Sequence, residues 1–227
     1  SAVVDDEVMA KILEVAPLAP LHNYGEAAAI EYCREKYPEL PNVAVFDTSF
    51  HMTMPEVAYT YALPKDVCDK YHVRKYGAHG TSHRYEWMMA KEILGSRCHR
   101  LLSCHLGNGA SLAAIEDGVC RDTTMGLTPL DGLMMGTRCG AIDPAIVPFV
   151  MEHEGLTAGE MNDLMNKKSG LLGISGISND LRSVRDASEQ GHERAMLAYD
   201  MYSNSVKKYI GQYIAVMGGV DAIVLTA

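Results

Sequence analysis

The stretch LLSCHLGNGASLAAIEDGVCRDTTM, residues 101–125, decides the fold. An apolar run is interrupted by Gly107-Asn108-Gly109 and resumes over residues 110–115, and an Asn-Gly turn between apolar segments predicts a β-hairpin. A second turn at residues 116–118 leads into a third short strand that ends near Thr124. We therefore predict a three-stranded meander.

The first hairpin turn carries backbone amides and almost no side-chain bulk. Glycines let the backbone approach a polyanion, and consecutive amides then serve as its hydrogen-bond donors. An ordinary tight hairpin is the alternative reading of Gly-Asn-Gly. His105 just before the turn and Ser111 just after it favour a phosphate site.

The composition of the chain limits the classes of protein to which it can belong. The chain has 227 residues, 48% hydrophobic and 22% charged, which is typical of a soluble globular protein. The net charge of −9 and the lack of a basic tract argue against nucleic acid or an anionic membrane as partner. Six cysteines without a close CxxC pair indicate reduced thiols and a cytoplasmic location.

The first fifty residues predict two helices and a strand. The helices cover residues 1–20, which contain the breaking prolines Pro17 and Pro20, and residues 25–37. A short strand over residues 42–46 ends at Asp47, where ligands gather in α/β sheets. Asp47 as a simple turn or N-cap residue is the alternative. Residues 48–73 are predicted to be a loop.

The segment 76–83 opens a helix that runs to about Leu94, with Thr81 or Ser82 as its predicted N-cap. Two histidines, His79 and His83, are four residues apart. They are either a metal pair without a third ligand, or structural residues at a helix start, or groups aimed at a phosphate.

One cation, Arg138, stands in the glycine-punctuated stretch 126–142. The fork of a guanidinium suits phosphoryl or carboxylate oxygens. Pairing with Asp131 or Asp143 at the surface is the alternative.

The C-terminal third predicts mostly helices. Helices are expected over residues 145–153 and 157–168, and a Gly/Ser loop over residues 169–178. Asn179-Asp180 caps a further helix, a long amphipathic helix covers 192–217, and a buried strand covers 221–226.

Six ordered motifs carry a resemblance that covers essentially the whole chain. The motifs are VFDTSFHMTMP (45–55), YGAHGTSHRY (76–85), HLGNGAS (105–111), DTTMGLTPLDGLMMGTRCGAIDPAI (122–146), SGLLGISGISNDLR (169–182) and VDAIVLTA (220–227). Together they resemble acetate kinase, whose near neighbours are the propionate and butyrate kinases.

The resemblance implies an α/β, actin-like (ASKHA) phosphotransferase fold and reversible phosphoryl transfer from ATP to acetate, giving ADP and acetyl phosphate, with Mg²⁺. It implies that Asp47 is the catalytic acid/base and that His79 and Arg138 stabilise the transition state. The remaining site residues that it implies are His105, Leu106, Gly107, Asn108 and Gly109 at the phosphates, Asp180, Leu181 and Arg182 near the adenosine, and Leu21, His22, Ala78 and Pro129 around the acyl group.

The resemblance also sets expectations for the whole chain. Residues 1–51 are expected to be the remnant of a first domain on the acyl side, and residues 52–227 most of a second, nucleotide-binding domain that forms a homodimer. Family segments that grip the acyl carboxylate and most Mg²⁺ ligands have no counterpart here, so we expect a central fragment that is inactive alone. Ala78 stands where the family usually has Phe, which leaves acetate, propionate and butyrate open as substrates. A nucleotide-binding or dimerisation module without turnover is the alternative function.

Overall fold

The chain forms two compact units, Ser1–Ser49 and Phe50–Ala227, in a computed structural model that describes residues 1–18 and 22–227. The functional division near residue 51 stays a prediction. Leu21, which the resemblance assigns to the acyl pocket, lies outside the described residues.

The first unit is a small pair of helices with a two-stranded sheet. Its elements are β1 (Ala2–Val3), α1 (Asp6–Val15), α2 (Asn23–Lys36) and β2 (Val43–Ala44), with a 3₁₀ turn at Ala16–Leu18. The Asp5 side chain accepts from the Val8 amide at 2.8 Å and so caps α1. The sequence missed β1, because two residues are too few to show a period of two.

The second unit is built on a four-stranded sheet in the order β5-β4-β3-β6. The strands are β3 (Arg100–Leu106), β4 (Ala110–Glu116), β5 (Val119–Thr123) and β6 (Ala222–Thr226). Antiparallel pairing of Leu106 with Ala110 places Gly107-Asn108-Gly109 at the turn, so the predicted meander is confirmed. The last strand, β6, pairs in parallel with β3.

Both faces of this sheet are covered by helices, which explains why β4 is almost entirely buried. Helix α10 (Glu193–Val216) covers one face, where its Tyr213 packs with Leu112 and Ala114. Helix α5 (Gly80–Leu94) covers the other, where its Trp87 and Ala90 pack with Ile115. Successive residues of β4 therefore pack into the two cores on opposite faces of the sheet.

The helices that follow β5 and precede α10 along the chain agree with the predicted helices in most places. They are α6 (Ile146–Glu154), α7 (Ala158–Lys167), α8 (Gly170–Ser175) and α9 (Leu181–Glu189). Asp180 is the N-cap of α9, as predicted, and Thr157 forms a capping box with Glu160 at α7.

Two segments predicted as loops are partly helical. Residues 48–73 contain most of a 3₁₀ helix, Asp47–Thr53, and the short helices α3 (Glu56–Tyr59) and α4 (Lys65–Tyr71), while residues 169–178 contain α8. These predictions are wrong because helices of four to seven residues show no clear apolar period. Tertiary contacts fix α8 instead, since the Leu171 amide donates to the Met135 carbonyl at 2.9 Å.

The predicted buried strand at 221–226 forms, but its burial is incomplete. Ile223 and Leu225 are exposed, at 45% and 68%, and the other three residues of β6 are only half-buried, so the prediction of a buried strand is wrong. Within the described ranges no helix is long and apolar enough to cross a membrane.

Candidate active site

The tip of the β3–β4 hairpin is fastened to two loops that follow it in sequence. The Gly136 amide donates to the Asn108 carbonyl at 3.1 Å, and the Asn179 side-chain amide donates to Asn108 Oδ1 at 3.1 Å. Gly136 leaves no room for a side chain, because a Cβ there would lie 2.0 Å from Asn108 Oδ1. The sequence predicts only a helix-capping role for Asn179 and gives no sign of this contact with the hairpin.

The loop that carries Arg138 is held in place from both sides. The Met135 amide donates to the Arg138 carbonyl at 3.1 Å, and the Ser169 amide donates to the Thr137 carbonyl at 3.0 Å. The Arg138 guanidinium donates through Nη1 to the Pro129 carbonyl at 3.0 Å. Partial burial lowers the pKa of Arg138, because the charged form loses solvation. An anion beside the guanidinium would offset that lost solvation. The structure shows no pairing of Arg138 with Asp131 or Asp143.

His79 stands immediately before α5 and is its N-cap, in the left-handed region with φ of 56°. The prediction of Thr81 or Ser82 as the N-cap is therefore wrong: the helix begins at Gly80, and Ser82 instead donates to Glu86. His79 Nδ1 forms a hydrogen bond with the Ser111 hydroxyl at 2.8 Å, so the other ring nitrogen faces away from the serine.

His79 and Arg138 meet at the glycine that closes the hairpin turn. A Cβ on Gly109 would lie 3.3 Å from Arg138 Nη1 and 3.6 Å from His79 Nε2. These three residues come from separate segments of the sequence, and the fold brings them to one place. An imidazole, a guanidinium and a side-chain-free backbone at one point are suited to phosphoryl oxygens.

His105, at the end of β3, stacks on His79 with 4.1 Å between ring centroids. A Cβ on Gly107 would lie 3.7 Å from His105 Nε2, so both imidazole Nε2 atoms border the hairpin turn. Leu106, which lies between His105 and Gly107 in the sequence, is partly buried against the sheet core and contributes to its packing.

A buried polar network lies behind the two stacked rings. Its members are Ser82, His83, Glu86, Ser103 and Ser111, linked by hydrogen bonds to each other and to His79 and His105. Burial, with three other histidines nearby, lowers the pKa of His83 well below its usual range, so this histidine is neutral. The sequence reading named neither Glu86 nor Ser103, since nothing at their positions marks a polar residue as buried.

Ala78 packs partly buried against the sheet core, next to His79. Its carbonyl accepts from His51 Nε2 at 2.8 Å, and the other ring nitrogen of His51 contacts the Cys120 thiol at 3.2 Å. Burial raises the pKa of Cys120 to about 12, so the thiol stays protonated. All six cysteines are free.

Asp180 and Arg182 form a local pair at the start of α9. Arg182 Nη2 lies 2.6 Å from Asp180 Oδ2, and this partner lowers the pKa of Asp180 to about 2. Leu181 is partly buried in the cluster formed with α10. The pair and its cap are explained by the helix start alone, so a role near the adenosine stays a prediction.

Two predicted site residues belong to the first unit. His22 is at the N-cap position of α2 without a side-chain capping bond, and Asp47 begins the 3₁₀ helix Asp47–Thr53. Their assigned roles stay predictions.

Side chains that could bind a metal ion do not cluster in residues 1–18 and 22–227. Nowhere in these ranges do three or more His, Cys, Asp or Glu side chains lie together as a metal site would require.

Comparison with known proteins decides the family. The profile of the acetokinase family matches residues 1–227. The chain belongs to the acetokinase family. An acetate kinase of Halothermothrix orenii is 55% identical and acetate kinase 2 of Clostridium perfringens 54% identical, each over all of this chain and 58% of the relative. The chain thus spans about 58% of the length of these curated relatives.

Solved structures of acetokinase relatives show the same fold. An acetate kinase of Porphyromonas gingivalis is 51% identical with a TM-score of 0.90, covering 98% of this chain and 56% of that one. A propionate kinase from Francisella tularensis is 44% identical with a TM-score of 0.94, covering 98% and 58%. The predicted α/β, actin-like phosphotransferase fold is confirmed.

Proposed function

We propose that the intact protein carrying this chain transfers a phosphoryl group reversibly between ATP and a short-chain carboxylate, with acetate giving acetyl phosphate and ADP. A carboxylate oxygen forms a bond to the γ-phosphorus while the bond from that phosphorus to the β,γ-bridging oxygen breaks, and ADP keeps the electron pair. Phosphoryl transfer needs positioning and positive charge more than covalent help from protein.

The observation that carries this proposal is the convergence at Gly109. A Cβ there would lie 3.3 Å from Arg138 Nη1 and 3.6 Å from His79 Nε2, so both side chains approach the backbone of this glycine closely. Arg138 supplies a permanent charge and His79 an imidazole, both held by fixed partners. In this proposal these two residues stabilise the charge on the transferring group.

The hairpin turn binds the nucleotide phosphates in this proposal. Residues 105–109 offer backbone amides at a turn whose tip is fixed by Gly136 and Asn179. Asp180, Leu181 and Arg182 are proposed to lie near the adenosine. Mg²⁺ would be held largely by phosphate oxygens and water, since that ion usually keeps several waters and few protein ligands.

The acyl group is proposed to lie near Ala78 and Pro129, and the roles that the resemblance implies for Leu21 and His22 stay predictions. Pro129 supports this placement, because its carbonyl accepts from Arg138 Nη1 and so lies beside the proposed phosphoryl site. Asp47 is proposed to be the catalytic acid/base. Acetate needs no deprotonation at neutral pH, so organising water, Mg²⁺ or the catalytic cations is its expected task.

Propionate is a second candidate substrate, and one residue favours it. Ala78, next to His79, stands where the resembled family usually has Phe, and the smaller side chain favours a longer acyl chain. A solved relative at 44% identity is named a propionate kinase. A homodimer, as the resemblance implies, and a cytoplasmic location, as the cysteine pattern indicates, also remain parts of the proposal.

Trapping the acyl phosphate as its hydroxamate tests this function. The intact protein with ATP and acetate or propionate is expected to form hydroxamate at an ordinary kinase rate, about 1–100 per second. Binding of ATP without acyl phosphate would favour the module without turnover. ATP consumption that depends on glucose or glycerol would favour a sugar-kinase activity instead.

A further inference from the structure

A buried carboxylate lies at the base of the two stacked histidines. Glu86 of α5 is only 6% exposed, although glutamate is rarely buried. The Ser82 hydroxyl donates to Glu86 Oε1 at 2.7 Å, and the Ser103 hydroxyl donates to Glu86 Oε2. Both carboxyl oxygens thus accept, which is the pattern of an ionised group. Each serine has a single hydroxyl proton, and that proton is now used.

One branch from Glu86 leads to His79. Because Ser103 donates to Glu86, its oxygen accepts from His83 Nδ1. Neutral His83 then has a bare Nε2, which accepts from the Ser111 hydroxyl at 2.8 Å. Ser111 has no second proton, so it accepts from His79 Nδ1, also at 2.8 Å.

The second branch leads to His105 in one step. The Ser82 hydroxyl donates its one hydrogen to the bond with Glu86, so its oxygen accepts from His105 Nδ1 at 3.0 Å. The two branches end alike: both stacked rings carry their first proton on Nδ1, turned toward the network. Their Nε2 atoms both border the hairpin turn.

This arrangement fixes what the two rings offer to an anion. A neutral imidazole with its proton on Nδ1 has a lone pair on Nε2, which repels a phosphoryl oxygen. Only an added proton turns Nε2 into a donor. Rings stacked at 4.1 Å repel each other if both are charged, so the pair takes one added proton.

We propose that Glu86 is a positioning residue that, through Ser103–His83–Ser111 and through Ser82, holds the Nδ1 protons of His79 and His105 and balances one added proton on the pair, so that Nε2 donates to the transferring phosphoryl group. Glu86 touches neither substrate nor reacting atoms. Its effect on turnover rests on the proposed function, whereas the tautomers of the two rings do not.

Several charges act on the added proton. Arg138 opposes it from the loop 126–142, and neutral His83 brings no charge that would compensate. Glu86 favours it from α5. Replacing Glu86 by glutamine removes the favourable charge, so the pair gives up its proton at lower pH.

The kinetic test compares kcat against pH for the intact protein and two variants. In Glu86→Gln the alkaline limb of the profile is expected to move to lower pH, with the KM for ATP little changed. The matched control Glu92→Gln, an exposed glutamate on the same helix, is expected to overlay the parent. A uniform loss of kcat in Glu86→Gln without movement of the limb would show a merely structural role and overturn the proposal.

The second test needs no turnover. Nitrogen-15 chemical shifts of the histidine rings in the intact protein are expected to show neutral His79 and His105 protonated at Nδ1. Ser103→Ala is expected to change the tautomers of His83 and His79 but not that of His105, and Ser82→Ala is expected to change that of His105 alone. Neutral rings protonated at Nε2 in the parent would overturn the proposal, even in a protein that turns over. If the shifts agree and no turnover is found, the proposed function fails instead.

Discussion

At the scale of single residues, the site combines groups whose charges are fixed with groups whose protons are directed. Arg138 keeps its charge at any ordinary pH, and burial makes an anionic partner favourable. His79 depends on its neighbours, because Ser111 determines which ring nitrogen faces the hairpin turn. The chemistry therefore depends on hydrogen-bond direction as well as on residue type.

Ala78 is the residue that we expect to set the choice of carboxylate. If the space beside it is open, each added substrate methylene gains about 0.8 kcal/mol of burial, roughly fourfold in kcat/KM. Ala78→Phe is expected to lower the ratio of kcat/KM for propionate over acetate by about that factor. Ala78→Gly, which adds no bulk, should leave the ratio as high as in the parent. An unchanged ratio in Ala78→Phe would mean that another group closes the pocket.

His83 gives the second unit a dependence on pH. Its folded-state pKa lies well below 6.5, so the unfolded chain binds more protons than the folded one below about pH 6.5. Stability is therefore complete above that pH and falls as the pH drops, by up to about 1.4 kcal/mol per pH unit. Urea unfolding at pH 7, 6 and 5 measures this slope.

The control for that slope is a second histidine. His83→Gln is expected to be less stable at pH 7 but to show a flatter fall toward pH 5, because an amide does not titrate there. His153→Gln, at an exposed position on α6, should keep the slope of the parent. Equal slopes in the parent and His83→Gln would contradict this account.

At the scale of elements, the strongly patterned parts of the chain were predictable. The Gly-Asn-Gly turn fixed β3 and β4, and the period of α10 was long enough to be read with an error of one residue at each end. Short elements were not predictable. Helix α8 has six residues and takes its place from backbone contacts with the Arg138 loop, which no local pattern reports.

The candidate site was predictable only in part, for a related reason. The family motifs point to His79 and Arg138, and the fold brings both to Gly109. Glu86, Ser103 and Asn179 have no local signature, since their importance comes from partners far away in sequence. Burial of a polar side chain is a tertiary property.

Gly136 tests whether the hairpin must be fastened to act. In Gly136→Ala the new methyl group would lie 2.0 Å from Asn108 Oδ1 and 2.9 Å from the Asn179 carbonyl, so Asn108 has to move. Loss of one hydrogen bond of about 1 kcal/mol predicts roughly fivefold weaker ATP binding by calorimetry. Gly211→Ala, with open space around it in α10, is the matched control. Unchanged affinity in Gly136→Ala would show that the contact is dispensable.

At the scale of the whole molecule, helix α10 carries both buried core residues and exposed apolar residues. Tyr202 and Tyr213 are buried within the chain, so they pack in the core. Leu197 and Met201, one turn apart, are exposed at 44% and 39% and form an apolar strip on the same helix. The proposed homodimer would bury this strip.

Sedimentation of the intact protein at micromolar concentration is expected to show a dimer. A charge on the strip, Met201→Glu, should shift the protein toward monomer, whereas Lys207→Glu at an exposed position on the same helix should not. A parent protein that sediments only as a monomer would contradict the dimer.

The central claim is that Arg138 acts on the phosphoryl group in transfer and not on the resting nucleotide. The direct measurement is kcat for acyl hydroxamate formation together with the ATP dissociation constant, in Arg138→Ala and in Arg185→Ala, an exposed arginine on α9. We predict a fall in kcat of about 100- to 1000-fold in Arg138→Ala with ATP affinity nearly unchanged, and no change in Arg185→Ala. Turnover of Arg138→Ala at the parent rate, or a loss confined to ATP binding, would contradict the account.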